Sequence, residues 1–182
     1  HKHMQGEEAE KLNEEAKKAY KDKDFERAKE CLIKAVNIYP IEGKYYHNLG
    51  ILFLELKKYK EAVSYYSKAI EFGFELEKCY LGRGRAWSGL EEVEKAIQDY
   101  TEVLKINEDA IEARENRAVN YINSFQDEKA VSDLTILLKK NPYDSMLLLL
   151  RYAAYTNLGK SKEANRDLYD CDLESLQMNN PN

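Results

Sequence analysis

The side chains able to do chemistry are few and poorly grouped for it. His47 is the one histidine outside the opening His1-Lys2-His3-Met4, which reads as an expression remnant. A general base needs a nucleophile and an orienting group beside it, and one histidine on a helix supplies neither, so His47 is expected to line a groove or to serve structure. Gly82-Arg83-Gly84 imitates a phosphate-cradling loop but falls inside an expected helix, without the strand-loop-helix context such loops need. Cys31, Cys79 and Cys171 lack C-x-x-C spacing, which argues against a disulfide framework or a zinc site and fits a reducing compartment. The abundant acidic pairs at helical spacing are a routine product of solvated helix faces. No residue is assigned a catalytic, cofactor-binding or metal-binding role, and the expectation is a protein that is not an enzyme.

The elements that position these residues follow from composition and period. The chain has 182 residues, 43% hydrophobic and 34% charged, with only 3 Pro and 8 Gly, a balance that favours an all-α fold. Its formal net charge of -5 comes from acids and bases scattered along the whole length, which argues against a nucleic-acid surface. No uninterrupted apolar stretch approaches the roughly 18 residues of a membrane span, and no signal-peptide segment is evident, so a cytoplasmic location is expected.

Self-similarity then decides the architecture. Ala28, Ala62, Ala96, Ala130 and Ala164 are spaced 34 residues apart. Twelve residues before each come Ala16, Gly50, Gly84, Ala118 and Tyr152, and three residues after those come Ala19, Phe53, Trp87, Tyr121 and Tyr155. Four residues past each alanine stand Leu32, Tyr66, Tyr100, Leu134 and Leu168. Phe25, Ala28, Leu32, Ala35 and Tyr39 form one apolar stripe at the spacing of an amphipathic helix. Each unit is therefore two helices, with small residues where the two approach closely and bulky ones where successive hairpins stack. A hairpin cannot bury both faces alone, so neighbours must stack, with the first helix of each pair lining a concave face.

These motifs resemble the tetratricopeptide repeat family. Tyr46-x2-Leu49-Gly50-x2-Phe53 with Ala62-x3-Tyr66 follows its pattern closely, as does Tyr80-x2-Arg83-Gly84-x2-Trp87 with Ala96-x3-Tyr100, apart from Arg83 in the leucine place. Pro40 and Pro142 stand where that family closes its repeat. The resemblance implies a right-handed superhelical α-solenoid of five hairpins at 9–42, 43–76, 77–110, 111–144 and 145–178, with residues 1–8 as lead-in and 179–182 as tail. The fifth hairpin is expected to cap the stack with its own polar last helix, and Ala153 to compensate for Tyr152 in the small-residue place.

Helical phase maps a candidate peptide groove onto the first helices. Asn13 and Lys17 come from the first unit, Lys44, His47 and Asn48 with Ile51 and Glu55 from the second, Lys78 and Arg85 from the third, Glu112 and Asn116 from the fourth and Asn157 from the fifth. Asn48 and Asn116 hold equivalent places, where an amide can both donate to and accept from a peptide backbone. Some members of the resembled family bind chaperone C-termini through a carboxylate clamp of Lys and Asn one turn apart, Asn on the next hairpin, then Lys and Arg on the third. Asn48 and Lys78 match that pattern, Asn13 and Lys17 carry the first pair in exchanged order, and Gly82 stands in the arginine place, with Arg85 nearly one turn later. The front of the groove is then basic and its rear acidic, which suits a protein or peptide partner with an acidic end. The resulting expectation is a protein-binding scaffold without a cofactor. The alternatives are an assembly subunit that self-associates through its terminal repeats and the regulatory piece of a longer protein.

Overall fold

The computed structural model describes residues 2–179; His1 and residues 180–182 of the expected tail lie outside them. Ten helices run in chain order among the described residues: α1 (Lys2–Lys21), α2 (Phe25–Ile38), α3 (Gly43–Glu55), α4 (Tyr59–Glu71), α5 (Leu76–Gly89), α6 (Val93–Ile106), α7 (Ile111–Asn123), α8 (Asp127–Lys140), α9 (Ser145–Asn157) and α10 (Ser161–Asn179). The fold is all-helical, as the period requires. Two differences from the expected boundaries concern the ends. α1 starts at Lys2, so the residues read as lead-in are part of the first helix, and α10 reaches Asn179.

The short turn inside each hairpin is the same turn five times. Lys23, Lys57, Glu91, Phe125 and Gly159 have left-handed φ values of 61°, 58°, 60°, 59° and 72°. The next residue in each case donates its backbone N–H to the carbonyl five residues earlier: Asp24 to Ala19 at 2.8 Å, Lys58 to Phe53 at 2.9 Å, Glu92 to Trp87 at 2.9 Å, Gln126 to Tyr121 at 2.8 Å and Lys160 to Tyr155 at 2.9 Å. This is the Schellman closure, which satisfies the orphan carbonyls of a helix end and reverses the chain. Where the following helix starts, Asp24 accepts from the Arg27 N–H at 3.2 Å, and Asp144 caps α9 through the Leu147 N–H at 3.1 Å.

The helices form two compact units, the first running to Val103 and the second from Leu104. In the first, Ala16, Ala28, Leu32, Leu49, Leu52, Phe53, Ala62 and Tyr66 make one continuous buried core. In the second, Ala118, Leu134, Leu137, Leu138, Leu147 and Leu148 do the same, with Cys171 of α10. The five alanines that set the period are 0–2% exposed. Their lack of side-chain bulk lets the helices of each hairpin close together. In α9 the fully buried small residue is Ala154, one position beyond the Ala153 expected to compensate for Tyr152.

A polar ladder that sequence reading treated only as a departure runs through this packing. Arg83, Arg117 and Arg151 stand in the leucine place of three successive repeats, and Asp99, Asp133 and Asp167 follow each by 16 residues. Arg83 binds both oxygens of Asp99, Arg117 both oxygens of Asp133, and Arg151 both oxygens of Asp167. The third donor of Arg83 reaches Ser67 Oγ on the preceding hairpin at 3.0 Å, and that of Arg151 reaches Thr135 Oγ1 at 3.1 Å. A guanidinium fork suits this bidentate grip in a way an ammonium does not.

Candidate functional site

Five of the twelve residues mapped onto the groove from the sequence, Asn13, Lys17, Asn48, Ile51 and Glu55, meet in one cleft of the first unit. Asn13 and Lys17 of α1 and Asn48 of α3 line a space of ≈ 550 Å³, together with Ala16, Tyr20 and Lys21 of α1, Lys23 of the turn, Phe25, Ala28 and Leu32 of α2, and Ile51, Leu52 and Glu55 of α3. Its base is apolar and its rim carries three lysines against one carboxylate, Glu55. Asn48 Nδ2 donates to Asn13 Oδ1 at 2.8 Å across the α1–α3 gap. Asn13 is 1% exposed, and its own Nδ2 has no hydrogen-bond partner. The amide exerts a weak pull on the acidity of Glu10 without reaching hydrogen-bond geometry. A buried donor in that state costs about 1–3 kcal/mol and is a ready partner for an incoming acceptor.

The cleft stands where the first two repeats differ at three equivalent places. In the second repeat the Tyr66 ring lies between Gly50 of α3 and Gly82 of α5. A Cβ added to Gly50 would sit 2.9 Å from that ring, and one added to Gly82 would sit 2.6 Å from the Tyr66 hydroxyl. Gly82 is thus a packing glycine, and the arginine place of a clamp is closed by the phenol. In the first repeat the corresponding trio is Ala16, Leu32 and Asn48, and all three line the cleft. Leu32 is too short to bridge the helices as Tyr66 does.

The remaining groove residues sit elsewhere. Lys44 pairs with Glu10 at 2.8 Å, and Glu10 also accepts from the Tyr45 hydroxyl at 3.0 Å. Burial works against the Glu10 charge, but these two donors prevail and hold its pKa below the usual carboxylate value. His47 is 8% exposed, with its ring centroid 5.3 Å from Phe74 and 6.0 Å from Tyr66. Lys78 is exposed and pairs with Glu75 at 3.0 Å. Arg85 is exposed on α5, and its charge partly offsets the rise in the Tyr66 pKa that burial produces. In the second unit, burial and the charges of Asp144 and Glu112 raise the Glu115 pKa. The Asn116 carbonyl accepts from Asn120 Nδ2 at 2.9 Å, and Asn157 Nδ2 donates to the buried Asp127 at 2.9 Å. Lys21 and Lys23 were missed because helical phase places one off the groove face and the other in a turn. Leu32, at the place that the next two repeats fill with Tyr66 and Tyr100, was the signal that could have found the cleft.

Among the described residues no group of three or more His, Cys, Asp or Glu side chains could hold a metal ion, and no helix is long and apolar enough to cross a membrane. Residues 43–72 match the family model of the tetratricopeptide repeat. The chain is 25% identical over 187 residues to Stress-induced-phosphoprotein 1 of Caenorhabditis elegans, an alignment covering 85% of this chain and 58% of that protein. Its fold is similar to the crystal structure of MamA protein, at a TM-score of 0.88 and 17% identity, over 96% of each chain. It is also similar to the first TPR of Spaghetti (RPAP3) bound to the HSP90 peptide SRMEEVD, at a TM-score of 0.61 and 26% identity, over 63% of this chain and 91% of that one.

Proposed function

Since the chain is a tetratricopeptide repeat protein, we propose that it is a non-enzymatic adaptor that holds an acidic peptide or protein segment against the first helices of its first unit. The observation that carries this reading is the cleft between α1 and α3, where the Asn13 and Asn48 amides meet an apolar base and a rim of Lys17, Lys21 and Lys23. Amides recognise the backbone of an extended segment, and the lysines favour its carboxylates and speed its approach. Lys78 and Arg85 on α5 extend the basic character, while Glu112 and Glu115 belong to an acidic stretch of α7 in the other unit. The bound acidic peptide of the similar Spaghetti domain supports the same choice of ligand class. The chain spans little more than half the length of the C. elegans relative, so a longer protein in which this array is one binding module fits the reading equally.

The test is fluorescence anisotropy with ten-residue peptides of graded charge. Acidic peptides are expected to bind in the micromolar range, near ~8 kcal/mol, and to weaken as salt rises. Equal binding of basic peptides would defeat the acidic reading, and binding of none would defeat the groove reading. A second reading, self-association through the last hairpin, is favoured by the exposure of Met146, Leu149 and Tyr169. Solution mass that rises with protein concentration, and falls back in Leu149→Glu/Tyr169→Glu, is its expected mark.

A further inference from the structure

The cleft reproduces, with its central ring missing, an arrangement that the chain completes one repeat later. Gly50, Tyr66 and Gly82 form a filled triplet: the ring is 2% exposed and leaves no room for a Cβ on either glycine. Ala16, Leu32 and Asn48 occupy the same three places 34 residues earlier and enclose open space instead. Ala28 and Ala62 are buried alike beside the two triplets, and Leu52, where the next repeat has Ala86, seals the base of the cleft at 1% exposure. Protein interiors close gaps of this size when they can, so a groove left open between two first helices has the form of a receptor for a side chain supplied from outside.

We propose that this cleft receives one large apolar side chain, aromatic or branched aliphatic, from the bound segment, seated where the Tyr66 ring lies in the next repeat, with flanking carboxylates of the segment on Lys17, Lys21 and Lys23. The inference rests on the peptide-binding reading above and adds its specificity: an acidic segment built around a bulky apolar anchor. Three observations carry it. The volume of ≈ 550 Å³ exceeds a single ring and accommodates the adjoining backbone as well. The rim is net positive, with Lys17, Lys21 and Lys23 against Glu55 and the Glu14 that pairs with Lys17 at 3.4 Å, which favours acidic flanks. The Asn13 amide keeps an unused donor, which a peptide carbonyl or carboxylate of the seated segment satisfies once the amide turns toward it.

The experiment compares three fluorescein-labelled nonapeptides of Glu, Ser and Gly that differ only at the central residue, which is Trp, Leu or Ala. The Trp and Leu peptides are expected to bind at least about tenfold more tightly than the Ala peptide, as an anchor residue requires. Ala16→Gly/Leu32→Tyr/Asn48→Gly rebuilds in the first repeat the triplet that the chain already folds in the second, and is expected to bring the Trp and Leu peptides down to the Ala value. Lys21→Glu/Lys23→Glu is expected to weaken all three at low salt. Because the triple variant alters packing, a peptide carrying benzoylphenylalanine at its centre provides a test on the unaltered protein. Its photo-crosslinks are expected at Ala16, Leu32 or Ile51. Equal affinity of the three peptides, or crosslinks confined to other surfaces, overturns the anchor and leaves the acidic groove standing, whereas no binding by any of them overturns both. A concentration-dependent mass abolished by the triple variant would make the occupant a second copy of this chain and overturn the proposal as well.

Discussion

The Arg83 guanidinium grips the Asp99 carboxylate through two parallel bonds, Nε to Oδ2 and Nη2 to Oδ1, each 2.8 Å long. Asp99 is 3% exposed, so the pair is withdrawn from water and each charge depends on the other. One repeat earlier the same two places hold the buried Leu49 and the half-buried Tyr65, neither of which carries a charge. Removing one member of a buried pair strands the other, at a cost of about 3–5 kcal/mol, whereas replacing both with apolar groups of matching volume is close to neutral. Asp99→Ala is therefore expected to lower the free energy of urea unfolding by that amount, and Arg83→Leu/Asp99→Tyr to remain within about 1 kcal/mol of the parent. A double variant as weak as the single one would mean that the ladder stabilises through its ions and not through the space they fill.

Gly82 is required by the ring beside it, not by its backbone. Gly82→Ala places a methyl group against the Tyr66 hydroxyl and ring, and overpacking of this kind costs about 1–3 kcal/mol. Tyr66→Leu opens the space but leaves a cavity, so the two changes together are expected to cost less than the sum of each alone. A double-mutant cycle in urea measures that coupling, and strict additivity would show that the ring yields without strain.

How much of this was legible in the sequence differs between fold and site. The ten helices follow from periodic small residues, because each alanine of the series must lie where two helices touch, and touching leaves no alternative residue size. That Asn13, Lys17, Asn48, Ile51 and Glu55 come together was legible because helical phase points them to one face. The cleft was not, since it arises from a residue that is too small, and Leu32 reads as ordinary core until Tyr66 is seen filling the equivalent gap. The Arg–Asp ladder was hidden for the opposite reason: its partners lie on different helices 16 residues apart, a separation that no helical period marks. Lys23 escaped because its position depends on a left-handed turn at a residue that does not advertise one.

That turn leads to a stability prediction at Phe125. Five residues adopt the left-handed conformation at equivalent places, and only Gly159 does so without a Cβ. The conformation costs a side-chain-bearing residue roughly 1–2 kcal/mol, and Phe125, 85% exposed, recovers almost nothing by burial. Glycine relieves the strain but adds about 0.5–1 kcal/mol of unfolded-state entropy, so Phe125→Gly is expected to gain a net ~0.5–1 kcal/mol and to raise the thermal midpoint by a few degrees. Gly159→Ala is expected to lose a similar amount. An unchanged or lower midpoint for Phe125→Gly would show that the ring is held by contacts beyond those its exposure implies.

His47 makes stability depend on pH in a window of its own. Burial among Tyr66 and Phe74 pushes its pKa below the ordinary value of about 6.5; the Lys78 charge adds to the fall, and Glu75 and the Asn48 side chain oppose it. The unfolded chain therefore takes up a proton at a pH where the folded chain still refuses it. Where the unfolded state binds more protons, stability rises with pH, so the contribution of neutral His47 is complete above the unfolded pKa and is lost as pH falls toward and through the folded one. Urea unfolding at about pH 7.5 and about pH 5.5 should show the loss in the parent and a smaller one in His47→Gln, which cannot titrate. Glu10, held below its usual pKa, loses its own contribution only in the more acidic carboxylate range and is common to both proteins, so it cancels in the comparison. Equal losses in parent and variant would mean that the folded imidazole accepts its proton as readily as the unfolded one, and that the cage of Tyr66 and Phe74 opens to water at no cost.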